Sequence, residues 1–343
     1  MLSLGDLGMK PILAALCLLL PYALGAAQAP ETPGAEIVLK KTDFPSWSLA
    51  IHGGAGVIDK GMPEEKKREY FAALERALHL GKGMLEKGAS AVDTVEAVVR
   101  DLENDPKFNA GKGAVFTHDG EHELDAAIMD GATLACGSVA GLKTVKNPIS
   151  LARAVMEKSG HVFLAGPGAE KFADEVKAER AAPEYFFVQE RYDQWQKALK
   201  DEAAGSVPKK FGTVGAVALD THGHLAAATS TGGLTNKRFG RIGDVPVIGA
   251  GTYADDRSCA ISATGVGEQF IRHTVARTIA ARVEFGGLSL EEAAKRTIAE
   301  LAPGDGGIIA VGKDGAVALV FNSAGMFRGA ANSAGRFDVA IWE

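Results

Sequence analysis

With 343 residues and 46% apolar side chains, the chain can build a large buried core, and by length alone about two domains are expected. Lys and Arg number 37 against 43 Asp and Glu, a formal net charge of −6. That mildly acidic balance, with no basic block interleaved with aromatics, argues against a nucleic-acid partner.

The N-terminus reads as an export signal. Lys10 precedes the apolar run Pro11–Leu20, Pro21 breaks it, and the small residues Gly25-Ala26-Ala27 follow. The run is short of the roughly 20 residues a membrane span needs. Residues 1–27 are therefore expected to be removed. The remainder would be periplasmic or secreted, without stable membrane association, and Pro30–Ala35 would be a disordered new end. Cys17 follows Leu16, a poor lipoprotein context. After removal only Cys136 and Cys259 remain, and a disulfide and two buried thiols are both open.

Leu49-Ala50-Ile51 opens a strand that runs into the turn His52–Gly56. Pro63 to Glu86 reads helical, with Tyr70, Phe71, Leu74 and Leu78 on one face. Ser90 with Asp93 forms a capping-box pattern before a helix striped by Val92, Val95, Val99 and Leu102. Phe108–Gly141 reads as strands with glycine turns, and Pro148–Lys158 and Ala169–Lys177 as helices. Arg180–Lys210 is polar and irregular and reads as a mobile segment. Two strands follow, Val214–Leu219 and a second ending at Thr229-Ser230-Thr231, joined by Asp220–His224. One helix is expected over Glu268–Phe285, carrying Ile271, Val275, Ile279 and Val283, and another over Leu290–Leu301. Ile308–Val311 and Ala316–Val320 flank the hairpin turn Lys313-Asp314-Gly315. Pattern alone gives a mixed α and β fold whose strands, apolar on both faces, need cover on both sides.

The chemistry concentrates around Gly212-Thr213. A threonine opening a strand is an ordinary β-former. Cleavage between the two residues would instead leave a terminus bearing both a hydroxyl and an α-amine. Such an amine has a pKa of about 7.7–8 and can act as general base to its own hydroxyl. The hairpin lets Thr213 meet Thr231, which could otherwise cap a backbone group. His222-Gly223-His224 sits on a turn without a third metal ligand, and no CxxC or His/Cys cluster suggests zinc.

Seven stretches in order carry a resemblance: Ile51–Gly56, Phe108–Gly113, Glu123–Ala126 with Met129–Gly131, Gly212–Asp220, Thr229–Gly233, Gly240–Asp244 and Thr264–Gly267. Together they resemble the isoaspartyl peptidase/L-asparaginase family, the plant-type asparaginases among N-terminal-nucleophile hydrolases. The resemblance implies an α+β fold, a four-layer αββα sandwich. It implies self-cleavage into residues 28–212 and 213–343, which together make one unit. Thr213 would be the nucleophile, Thr231 its orienting partner, and Thr264 with the Gly265 N–H the oxyanion donors. Arg241 and Asp244 would clamp the carboxylate and ammonium of an asparagine-like substrate or β-aspartyl dipeptide, with Gly267 and Asn109 lining the pocket. No organic cofactor is implied. A structural sodium ion would be held by backbone carbonyls of Leu102, Glu103, Phe108, Ala110 and Lys112, and the cleaved units would pair as dimers. Two rivals stand: a glycosylasparaginase-like amidase, and a non-catalytic periplasmic amino-acid-binding protein that keeps the Arg241–Asp244 pair.

Overall fold

The structure, a computed structural model, describes residues 44–205 and 212–343. The expected export signal, the Pro30–Ala35 stretch and Pro208–Lys210 lie outside the described residues. The chain from Asp43 to Glu343 clusters as a single unit. Among the described residues there is thus one compact unit where length suggested two domains.

In chain order the strands are β1 (Ser48–Gly56), β2 (Leu124–Asp130), β3 (Cys136–Leu142), β4 (Phe163–Ala165), β5 (Val214–Leu219), β6 (Leu225–Thr231), β7 (Thr252–Ala254), β8 (Cys259–Gly265), β9 (Gly306–Gly312), β10 (Val317–Phe321), β11 (Gly325–Asn332) and β12 (Phe337–Ala340). The helices are α1 (Glu64–Glu86), α2 (Ala91–Glu103), α3 (Pro148–Lys158), α4 (Gly166–Glu175), α5 (Pro183–Phe186), α6 (Gln189–Ala203), α7 (Gly267–Arg272), α8 (Val275–Glu284) and α9 (Leu290–Ala299). A larger sheet runs β12-β11-β1-β5-β6-β2-β3-β4, and a smaller one β10-β9-β8-β7.

The period of two along the central strands decides how these parts pack. Leu49 and Ile51 of β1, Val214, Ala216 and Ala218 of β5, and Ala226 and Ala228 of β6 join one buried cluster with α1 to α3. The intervening residues Ala50, Val217, Leu219, Leu225 and Ala227 join a second cluster with Ile261, Ala263, Ile308 and Ala310 of the smaller sheet. Ile279, Ala280, Ala293 and Ala294 of α8 and α9 complete that cluster. The central strands are thus covered on both faces, as their composition required.

Local chemistry explains the helix boundaries. Ser90 Oγ accepts from Asp93 N (3.1 Å), the cap expected at the start of α2. Asp220 reaches across to the same helix end, accepting from Ala91 N at 2.9 Å. Ser289 Oγ caps α9 from Glu292 N (3.3 Å).

Three expectations of local structure fail: in Phe108–Gly141, expected to be strands with turns, the first strand begins only at Leu124. The single helix over Glu268–Phe285 is broken at Thr274, whose φ is 43°. The N–H groups of Ala276 and Arg277 donate instead to Ala250 O and Gly249 O (3.1 and 2.8 Å), so tertiary bonds displace the helical ladder there. The segment Arg180–Lys210, expected to be irregular, holds α5 and α6 up to residue 205. Its packing residues are aromatic and cationic rather than aliphatic. Trp195 stacks on Phe116 at 5.5 Å, and buried Arg191 donates to Lys107 O and Gly113 O (2.8 and 3.0 Å). Among the described residues no helix is long and apolar enough to cross a membrane. Cys136 and Cys259 are both free thiols.

Candidate active site

The site grows from the β5–β6 hairpin. Asp220 Oδ1 accepts from His222 N and His224 N (2.9 and 3.0 Å), and Gly223 takes φ 86°, so the turn has one register. That register pairs Val214 with Ser230. One residue further, Thr213 Oγ1 donates to Thr231 Oγ1 at 3.1 Å, with both residues buried. Thr231 Oγ1 also accepts from Gly233 N (3.0 Å). On the opposite face of β6, Ser230 donates to Glu103 Oε1 (2.6 Å), and burial pushes that carboxyl up to about 7.

The backbone ahead of Thr213 lies against the turn of β1. A Cβ on Gly54 would stand 2.6 Å from Gly212 Cα, and one on Gly212 would stand 2.5 Å from Gly54 Cα. Gly54 also has φ 115°, which disfavours any side chain. The Gly212–Thr213 bond can sit there only because both positions are glycine.

Across from this bond, Thr264 Oγ1 accepts from Ala55 N at 3.1 Å. A hydroxyl that accepts an amide proton keeps its own proton for another acceptor. Gly265 ends β8 beside it, packed against Asp305 O so tightly that a Cβ would overlap.

Arg241 and Asp244 converge over Gly267. A Cβ there would lie 2.6 Å from an Arg241 guanidinium nitrogen and 2.8 Å from Asp244 Oδ1. Asp244 is buried, its Oδ2 has no hydrogen-bond partner among the described residues, and burial raises its carboxyl to about 7. Arg241 is held instead by Glu268, through a bidentate pair at 2.9 and 3.0 Å. A carboxylate therefore already occupies the geometry a planar guanidinium offers to a free amino acid.

Asn109 lies elsewhere in the site. Its side chain donates to Gly233 O (2.8 Å) and accepts from Val115 N (3.0 Å), bracing the turn that follows Thr231. Beside Arg241 a cavity of about 880 Å³ opens, lined by Asp125, Lys143, Glu170 and Arg180 among others.

The loop expected to bind sodium closes the end of α2. Cβ atoms on Gly111 and Gly113 would run into Glu103 O and Phe108 O, so the carbonyls fold over positions open to glycine alone. Leu102 O, Phe108 O and Ala110 O accept from Asp105 N, Ala110 N and Gly113 N (3.2, 3.0 and 3.1 Å). Each carbonyl keeps a second lone pair, and neutral oxygen donors suit a hard cation. The Lys112 ammonium sits 5.5 Å from the Tyr185 ring centroid. Among the described residues no cluster of His, Cys, Asp or Glu could hold a metal.

Sequence reading gave no role to His52, Thr229, Thr252, Ser262 or Asp125. His52 Nδ1 bonds to Thr213 O (3.0 Å) and its Nε2 to Ser262 Oγ (2.9 Å). Asp125 pairs with Thr231 across β2 and β6, and burial raises its carboxyl above the usual range. His52, Asp125 and Thr229 do lie within stretches that carry the family resemblance, but the sequence signal for Ser262 and Thr252 was at most a hydroxyl near a strand end.

A family model described as asparaginase matches residues 45–341. The chain is 51% identical to the isoaspartyl peptidase of Escherichia coli, over 82% of this chain and 91% of the relative. It is 45% identical to a probable isoaspartyl peptidase/L-asparaginase 2 of Arabidopsis thaliana, over 87% of this chain and 99% of the relative. With the isoaspartyl peptidase/L-asparaginase of Rattus norvegicus it shares 41% identity, over 89% of this chain and 90% of the relative.

Proposed function

Since the chain belongs to the isoaspartyl peptidase/L-asparaginase family of asparaginases, we propose that it is a self-cleaving amidohydrolase that releases L-aspartate from β-aspartyl dipeptides and from L-asparagine. In this reading the Thr213 hydroxyl attacks the Gly212 carbonyl, the acyl group moves from nitrogen to oxygen, and water hydrolyses the ester. Residues 28–212 and 213–343 result, built as one four-layer αββα sandwich.

The freed α-amine of Thr213 then takes the hydroxyl proton as the oxygen attacks the substrate's side-chain carbonyl. It returns the proton to the departing amine, and water cleaves the aspartyl ester. Thr231 orients the nucleophile. Thr264 Oγ1 and the Gly265 N–H stabilise the oxyanion, a kind of donor whose loss costs about 10²–10³ in rate. Arg241 receives the substrate carboxylate in place of Glu268, and Asp244 receives the ammonium.

The observation that carries this reading is the 3.1 Å bond from Thr213 to Thr231, set where Gly212 rests on Gly54. The same reading includes removal of residues 1–27, export, a sodium ion on the carbonyls of Leu102, Glu103, Phe108, Ala110 and Lys112, and dimers of the cleaved unit. Were the ion bound, it would tie the end of α2 to the loop that carries Asn109.

The test is a denaturing gel of purified protein with N-terminal sequencing. Two bands are expected, with Thr213 opening the smaller. A binding protein would give one band, and that result would remove the reading. Two substitutions probe the local geometry. Gly54→Ala places a methyl against Gly212, so conversion to two bands should slow more than about tenfold, as small misplacements at a reacting centre do. Conversion at the wild-type pace, followed on the same gel, would detach Gly54 from the process. Thr231→Ala should slow both cleavage and turnover by about 10²-fold. Unchanged rates of aspartate release would take Thr231 out of the site.

A further inference from the structure

We propose that His52 is a positioning residue for Thr213: a one-way chain of hydrogen bonds, Thr229 to Ser262 to His52 to the Thr213 carbonyl, holds the backbone of the nucleophile from beneath. The inference rests on Thr213 being the nucleophile, as argued above.

The direction of the chain follows from its last member. A carbonyl oxygen only accepts, so the proton on His52 lies on Nδ1, which donates to Thr213 O at 3.0 Å. His52 is fully buried, and that burial depresses its pKa to about 3, so the ring is neutral. A neutral ring with Nδ1 protonated has a bare Nε2. Nε2 therefore accepts from Ser262 Oγ at 2.9 Å.

The single proton of Ser262 is then committed. Its oxygen must accept from Thr229 Oγ1 at 2.7 Å. Thr229 Oγ1 in turn lies 2.7 Å from Thr252 Oγ1. Thr252 is also 3.0 Å from Val245 O, next to Asp244, and Gly251 N donates to Asp244 O (3.1 Å). The one proton of Thr252 must go to Thr229 for the chain to run, so the chain begins at Thr252 in β7 and ends on the nucleophile.

Three further observations separate this from an ordinary buried histidine. The surrounding inter-sheet space is lined by Ala50, Ala227 and Ala263, so four polar side chains there are costly unless every bond is made. Gly215 of β5 leaves the passage open, since a Cβ there would overlap both His52 Nε2 and Ser262 Oγ. The bonded atom is the carbonyl of Thr213 itself. That contact survives a cut on the other side of the residue. With its carbonyl pinned, the amine and hydroxyl of Thr213 are left facing the substrate.

Two measurements test it. In ¹⁵N-histidine-labelled full-length protein, His52 is expected to keep a protonated Nδ1 and a bare Nε2 from pH 5 to 9. An Nε2–H tautomer, or a titration midpoint near the ordinary value of about 6.5, would overturn the proposal whatever the variants do. In processed enzyme, His52→Leu should lower kcat about 10²-fold with KM nearly unchanged. His52→Asn puts an amide donor near the Nδ1 position and should recover most of that loss. Should His52→Leu remain uncut, Ser262→Ala serves in its place, with kcat falling and KM held. Equal impairment of the Leu and Asn variants, or wild-type kcat in the Leu or Ser262→Ala variant, would defeat it. An active Thr213→Ala variant would instead defeat the assignment of the nucleophile, which is a separate failure.

Discussion

Thr213→Ala should purify as one full-length, soluble band and release no measurable aspartate from β-Asp-Leu or ammonia from asparagine. The expected loss is about 10⁴-fold or more, since removing a covalent nucleophile from a hydrolase can cost about 10⁶ in kcat. Folding should survive. Among the described residues the side-chain bond that Thr213 donates is the one to Thr231, and a single neutral hydrogen bond contributes only about 1 kcal/mol net. A thermal melt within a few degrees of wild type should accompany the loss. Both losses stem from one hydroxyl, so a variant that still divided itself while losing turnover would show that a different group severs the chain.

Asp244→Asn should separate recognition from folding. An ionised Asp244 offers an otherwise unsatisfied buried oxygen, the partner an ammonium needs. Removing one member of such a pair lowers affinity by about 2–5 kcal/mol, so kcat/KM should drop roughly 10²–10³-fold. The pH dependence follows from the raised pKa of about 7. Only the carboxylate binds, so recognition fades as pH falls through 7. The α-amine must also be unprotonated, so in wild type log(kcat/KM) should climb on the acid side with the slope of two ionisations. In the Asn variant the slope should be that of one.

Stability should move the other way. Between the ordinary carboxyl value of 3.8 and about 7, the folded chain keeps a proton on Asp244 that the unfolded chain gives up. That group's contribution therefore declines as pH rises across the window. The Asn variant should melt no lower than wild type at pH 8. A kcat/KM profile with wild-type slope, or a marked loss of melting temperature, would count against this role.

The parts of the site legible in the sequence were the local ones. The β5–β6 hairpin could be read because alternation and the Asp220–His224 turn lie within one short window, and they alone bring Thr213 to Thr231. The capping of α2 by Ser90 was legible for the same reason. The partner of Arg241 was not. Glu268 lies in the first turn of α7, and nothing near Arg241 indicates that it arrives there. The bond between His52 and Ser262 joins residues 210 positions apart on different sheets, a distance at which no periodicity carries information. Helix α6 escaped because hydropathy patterns expect an aliphatic stripe, whereas Tyr192, Trp195 and Arg191 do the packing. The break at Thr274 escaped because carbonyls of Gly249 and Ala250 compete for N–H groups that the sequence assigns to a helix.

The order of strands in the larger sheet has a consequence for any cut ahead of Thr213. β1 belongs to the first piece, yet it is laddered on one side to β11 and on the other to β5, both from the second. β2, also from the first piece, is laddered to β6 of the second. The second piece holds all four strands of the smaller sheet, but the larger sheet is complete in neither. Scission would leave the two chains woven together, parted only by global unfolding. A chain cut there would have to finish folding before it divided, and two halves synthesised separately would have to find each other as unfolded chains.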